Sequence, residues 1–103
     1  MTEDLLKIIE HYGDNHQIHK LNEEQYELCE ALYDRYLHEQ DKNDSWAWAE
    51  HSIVLDSHIE EEIADNLVLI RQFIEKYQLN YPRIEDIVLS KIERQLLRIE
   101  KGE

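Results

Sequence analysis

Apolar residues along this chain recur at spacings of three and four rather than in strict alternation, and only two glycines and one proline interrupt them. That pattern predicts an all-α fold with no strand. A first short helix is predicted over residues 3–12, carrying Leu5, Leu6, Ile8 and Ile9 and closed by Gly13. A second, over residues 15–37, presents Ile18, Leu21, Leu28 and Leu32 as one stripe with Gln25 between them. The polar stretch HEQDKND at residues 38–44 reads as an exposed connection dividing two helical halves. Beyond it, DSWAWAEHSIVL is helical in character but poorly patterned, and a third main helix is predicted over residues 58–77. Ser57 and Glu60 have the spacing of a capping box at its start. A fourth helix begins near Pro82, which suits a first turn because its missing donor is no loss there, and runs to the C-terminus. The expectation is four to five helices in a bundle.

Length and charge narrow the picture. A chain of 103 residues predicts one domain, residues 1–103, with a single core that is only moderately stable alone and gains from oligomerisation. With 24 acids against 11 bases the net charge is -13, which argues against nucleic-acid phosphate and anionic membranes as partners and favours cations. The lone Cys29 rules out an internal disulfide and fits a reducing cytosol, and its default role is burial. No basic, long-apolar signal segment opens the sequence, and the longest apolar run, Leu67 to Ile70, is far too short to span a bilayer. A cytoplasmic protein is expected.

The acids are unevenly placed. In EEEIADNLVLIRQF, residues 60–73, three glutamates and an aspartate crowd a strongly apolar helix. At about 100° per residue from Ile59, the residues Ile63, Leu67, Ile70 and Ile74 fall between about 20° and 80°, and Glu62 falls near 300°, between Leu69 and Phe73. Asp65 lies near 240°, at the edge of the apolar arc, whereas Glu60 and Glu61, near 100° and 200°, reach its far side. Glu62 is therefore expected to be partly buried, where a carboxylate protonates or finds a cation. Glu24 and Glu27, three residues apart, project from neighbouring turns of the second helix, with Glu24 beside Leu28 and Ala31. Two helices each presenting acids at i and i+3 can set four carboxylates around one point, which suits a hard divalent cation with oxygen ligands. Mg²⁺ is the expected ion, with Mn²⁺ as the alternative; Mg²⁺ keeps waters and is completed by substrate phosphates, so an acidic protein can still receive a nucleotide as its metal complex.

EEQYE at residues 23–27 followed by EIAD at residues 62–65 resembles the E-E-x-x-E then E-x-x-D signature of the MazG-like all-α nucleoside triphosphate pyrophosphohydrolases. The surrounding HYG, NHQIHKLNEEQYELCEAL and EEIADNLVLIRQFIEKYQL follow the order of short single-domain members, over about residues 5–100. The resemblance implies Mg²⁺-dependent cleavage of an NTP or dNTP between the α and β phosphates, giving monophosphate and pyrophosphate. By position it implies metal ligation and catalysis by Glu24, Glu27, Glu62 and Asp65, with Glu23 in a supporting role. Bound metal would neutralise the polyphosphate, hold it in line and lower the pKa of an attacking water. Members also set basic residues of later helices against the phosphates; here SKIERQLLRIEKG supplies Lys91, Arg94 and Arg98, of which Lys91 and Arg94 come first, while Asn66 is placed to touch sugar or base. A homodimer or homotetramer is implied too. One departure is the long interval from Glu27 to Glu62, whose extra residues include SWAWAEHS.

Plainer chemistry accounts for some of the same residues. Asn22 could cap a helix whose first turn holds Glu23 and Glu24. Lys91, Arg94 and Arg98 could be a solvated face paired locally with Glu93. Trp46 and Trp48 suit packing more often than base stacking. The six histidines have no compact ligand spacing, and His16 with His19 is a weak zinc pattern. The rival functions are a non-enzymatic acidic adaptor or nucleic-acid mimic that occupies a basic site, and a degenerate family member that binds metal nucleotide without cleaving it.

Overall fold

The computed structural model describes residues 1–103 and contains four helices and no strand: α1 (Thr2–Tyr12), α2 (Asp14–Gln40), α3 (Trp46–Lys76) and α4 (Tyr81–Glu100). The all-α expectation holds. No helix is long and apolar enough to cross a membrane. α3 differs from its expected form, because it is one continuous helix from Trp46 rather than one that starts at His58. No glycine or proline interrupts residues 46–76, and the cap is Ser45, whose hydroxyl accepts the Trp48 N–H at 3.1 Å. Ser57 therefore lies inside the helix and makes no capping box, and Asn22 is likewise interior to α2. α4 begins as expected, with the Asn80 side chain accepting the Arg83 N–H at 3.0 Å and Pro82 in the first turn.

α2 and α3 form an antiparallel pair, as the order of their cross-links shows. Gln17 bonds Gln72 at 2.9 Å, Asn66 bonds the Glu24 carbonyl at 3.0 Å, and Arg35 bonds Asp56 at 2.7 Å. At the far end, His38 and Ser52 lie 2.8 Å apart, and the Trp48 indole stacks on His38 at 4.4 Å and donates to its carbonyl. The turned-in positions of α2 are Gln17, Leu21, Glu24, Leu28, Ala31, Arg35 and His38, spaced alternately by four and three as in a coiled-coil seam. The inward positions of α3 include Ser52, Leu55, Ile59, Glu62, Asn66, Leu69, Gln72 and Phe73. The seam is thus rotated from the apolar stripe expected on α2: Leu21 and Leu28 turn in, but Ile18 and Leu32 are exposed. The α3 arc of Ile63, Leu67 and Ile70 is exposed too. Each helix carries more apolar surface than one neighbour can cover, and the pairing face is the one that holds the polar residues.

α1 lies against this pair through Leu5 and Ile9, both buried. Its corner is set by Gly13, at φ 89° and ψ 152°, a positive-φ conformation rather than the helical left-handed one. Across the corner, Tyr77 donates to Asp14 and the Lys76 ammonium lies 3.2 Å from it, so α1–α2 is tied to the end of α3. The Tyr77 hydrogen bond first, and then Lys76, hold the Asp14 carboxyl below its ordinary value. A methyl group at Gly13 would meet open space, so the cost of Gly13→Ala is backbone strain alone. We expect a loss of about 1–3 kcal/mol, the usual penalty for a residue with a Cβ in that region, read from urea unfolding midpoints. An unchanged midpoint would mean that the corner relaxes.

α4 does not join a bundle with the other three helices. None of its residues is buried, and its links to the body are short-range: Arg71 over the Tyr81 ring at 4.9 Å, and Ile84 at the edge of an apolar groove with Ile70, Phe73 and Leu79. The radius of gyration is 17.9 Å, against roughly 13 Å for a compact chain of this length.

Candidate functional site

The seam brings three of the four expected ligands together. Carboxylate oxygens of Glu24 on α2 and of Glu62 and Asp65 on α3 lie within 4.8 Å of one another. Asn66 fixes this level of the helix pair, its amide NH2 donating to the Glu24 carbonyl at 3.0 Å and the Glu62 carbonyl at 2.8 Å. Glu24 and Glu62 are only 6% and 8% exposed, and in each the Oε2 atom is buried with no hydrogen-bond partner. Their other oxygens differ in company: Lys20 Nζ pairs with Glu24 Oε1 at 3.2 Å, whereas the nearest base to Glu62 Oε1 is His58 Nε2 at 3.8 Å. Buried polar atoms are nearly always paired, and a carboxylate oxygen stripped of water pays for it unless a donor or cation arrives.

Glu27 stands at the exposed edge, outside the tight group, yet it feels the cluster. The Glu24 charge first, then loss of water and the Glu62 charge, push the Glu27 carboxyl above its ordinary value. Four acids thus share one locality, and their oxygens are the donor set a hard divalent cation prefers. Glu60 and Glu61 are exposed, as the helical projection predicts, and Glu23 is exposed beside Lys20 at 3.7 Å.

Most other expected site residues fall elsewhere. Asn66 is buried beside the acids and braces the helices, its NH2 donating to two backbone carbonyls while its Oδ1 has no partner. Lys91, Arg94 and Arg98 are exposed on α4 and do not line the pocket beside the acids. Trp48 packs, as described, while Trp46 is 77% exposed. Cys29 is exposed on α2, contrary to the expected burial, because the seam passes through Leu28 and Ala31 instead. His19 is bonded to the Asn15 carbonyl at 2.9 Å and His16 to Gln17 at 2.8 Å, and neither belongs to the acid cluster.

The acids open onto a pocket of about 560 Å³ to which Glu24 and Asp65 contribute walls together with Tyr12, His16, Gln17, Lys20 and Gln72. None of these last five was singled out by the acidic motifs. Lys20 had a readable signal, since it stands one helical turn before Glu24; Gln17 and Gln72 had none, since polar residues at seam positions look like exposed ones in a sequence.

Compared with known proteins, the chain matches no family model, no curated protein and no solved structure.

Proposed function

We propose that the protein is a Mg²⁺-dependent nucleoside triphosphate pyrophosphohydrolase, the activity implied by the likeness of its EEQYE and EIAD segments to the MazG-like signature. The observation that carries this reading is the convergence of Glu24, Glu62 and Asp65 within 4.8 Å, with two buried carboxylate oxygens that have no partner. These three residues, with Glu27 at the rim, would hold the ion. A divalent cation held there supplies neutralisation of the polyphosphate charge and activation of a water for attack at phosphorus. Lys20, already paired with Glu24 across 3.2 Å, is free to turn to phosphate oxygens when the carboxylate gains another partner. Asn66 keeps the two helices at a fixed separation while charge accumulates between them. Lys91 and Arg94 enter this reading only in a homo-oligomer, in which α4 of one copy lies on another.

The test is a panel of NTPs and dNTPs incubated with Mg²⁺ and resolved for products. Monophosphate and pyrophosphate should form in equal amounts and disappear when chelator is added. Orthophosphate alone, or no product from any nucleotide, would overturn the assignment; metal-dependent nucleotide binding without product would favour a degenerate, non-cleaving relative.

A further inference from the structure

We infer that the pocket at the α1–α2 corner binds the heterocyclic base of the nucleotide, with Tyr12 and His16 stacking on its face and the Gln17–Gln72 amide pair meeting its edge. This assignment rests on the nucleotide reading, because it takes the acid cluster as the place where the phosphates lie. The pocket shares Glu24 and Asp65 with that cluster, so a ligand whose anionic end lies at the carboxylate-held cation extends its other end toward Tyr12 and His16. Its volume of about 560 Å³ is within the range of roughly 300–1,000 Å³ common for small-molecule sites.

Two features give the pocket its chemistry. The Tyr12 and His16 rings stack on each other with centroids 5.1 Å apart and an interplanar angle of 18°. They come from different helices, and the positive φ of Gly13 between them brings one over the other. Half of Tyr12 remains exposed, which leaves aromatic surface at the pocket wall; base–aromatic stacking tolerates any base and is a main source of affinity for unpaired nucleotides. Second, the pocket wall holds a hydrogen-bonded relay. His16 Nδ1 contacts Gln17 Oε1 at 2.8 Å, and Gln17 Nε2 donates to Gln72 Oε1 at 2.9 Å, with Gln72 only 2% exposed. The relay uses the Gln72 oxygen and leaves its NH2 group as the free donor, a group suited to the ring nitrogens and carbonyls of a base edge. An aliphatic ligand would strand these amides without solvent, and a sugar would leave the ring stack unused.

The experiment compares the nucleoside triphosphate cleaved fastest in the panel with inorganic tripolyphosphate, which has no base, in wild type, Tyr12→Leu and Gln72→Met. Circular dichroism checks that each variant is folded. We expect the ratio of kcat/KM for the nucleotide to that for tripolyphosphate to fall about ten- to hundredfold in Tyr12→Leu, mainly through KM. Gln72→Met should reorder the preference among bases. If the ratio stays constant in the folded Tyr12→Leu variant, or both substrates lose activity together, the base subsite is overturned. If wild type cleaves neither compound, the catalytic reading fails, and the subsite is judged by saturation-transfer NMR with the nucleotide panel. Transfer to base protons that disappears in Tyr12→Leu would uphold it, and no transfer in wild type would overturn it.

Discussion

Glu62→Gln should abolish metal-dependent activity while leaving the metal-free protein at least as stable as wild type. The two halves of this outcome share one cause. Glu62 is nearly buried, it lies within 4.8 Å of Glu24 and Asp65, and its Oε2 has no partner, so it is crowded by like charges and offers an uncommitted oxygen to a cation. A neutral amide of almost the same shape removes like-charge repulsion, which should raise metal-free stability by up to ~1 kcal/mol. It also removes a metal ligand, and since loss of a residue that merely supports a ligand typically costs 10–100-fold, activity should fall by more than about 100-fold. Wild type should gain about 1–3 kcal/mol from Mg²⁺ well above its dissociation constant, and the variant should lose that gain. Melting curves of both proteins with chelator and with Mg²⁺ decide the matter: equal metal-induced shifts would remove Glu62 from the site.

Glu27 adds a pH dependence to the same experiment. Its folded carboxyl titrates above the ordinary 4.5, so its contribution to stability is fully present below that value and is lost as pH rises through its folded pKa. Glu27's own contribution should therefore fall on going from acid toward neutral pH, opposite in sign to that of Asp14, and is read as the difference between wild type and Glu27→Gln. Mg²⁺ should restore it, and should bind more weakly as pH falls through the same window, because protons compete for the carboxylate. The Glu62 charge is among the causes of the shift, so Glu62→Gln should shrink this pH effect as well.

The acid site was largely readable because helical periodicity separates the residues concerned. Projection of residues 59–74 on a helix puts Glu62 between Leu69 and Phe73 and turns Glu60 and Glu61 away, and the structure buries the first and exposes the other two. What periodicity could not supply is which of two apolar faces meets a neighbour in the same chain. On α2 the conspicuous stripe contains Ile18 and Leu32, yet the paired face holds Gln17, Glu24 and Ala31, because it must meet Asn66 and Gln72 on α3. Hydrogen bonds between helices decide that registry, and a sequence does not display them. The start of α3 differs from its expected position for a related reason. Ser57 and Glu60 have capping spacing, but nothing before them stops the helix, and Ser45, after the connection, is where the chain first offers a cap.

Purified protein should sediment as a homo-oligomer at micromolar concentration, and dissociation should melt α4. The first expectation comes from what the single chain leaves uncovered: its buried apolar core is Leu5, Ile9, Ala31, Leu69 and Ile74, while Ile63, Leu67 and Ile70 on α3 and Ile18 and Leu32 on α2 face outward. The second comes from α4, which buries no residue, although Ile84, Val88, Ile92, Leu96 and Ile99 form one apolar stripe along it. A 20-residue helix with so few tertiary contacts gains little from packing an apolar face, the source of most helical stability in proteins. Lys91 and Arg98 fall within about 20–40° of the edge of that stripe, so a partner surface covering α4 would also meet this basic row. Leu67→Glu tests the body and Ile92→Glu tests α4. Both residues are exposed in the single chain, where such changes stay within about ±0.5 kcal/mol. At the centre of an interface the same changes should cost 2 kcal/mol or more, roughly a 30-fold weaker association. Sedimentation equilibrium should show wild type above 12.5 kDa and each variant shifted toward that mass. Far-UV circular dichroism of the variants should lose helical signal equivalent to α4, 20 of the 103 residues. A wild-type monomer of full helicity would sink the oligomer and, with it, any approach of Lys91 and Arg94 to the acids.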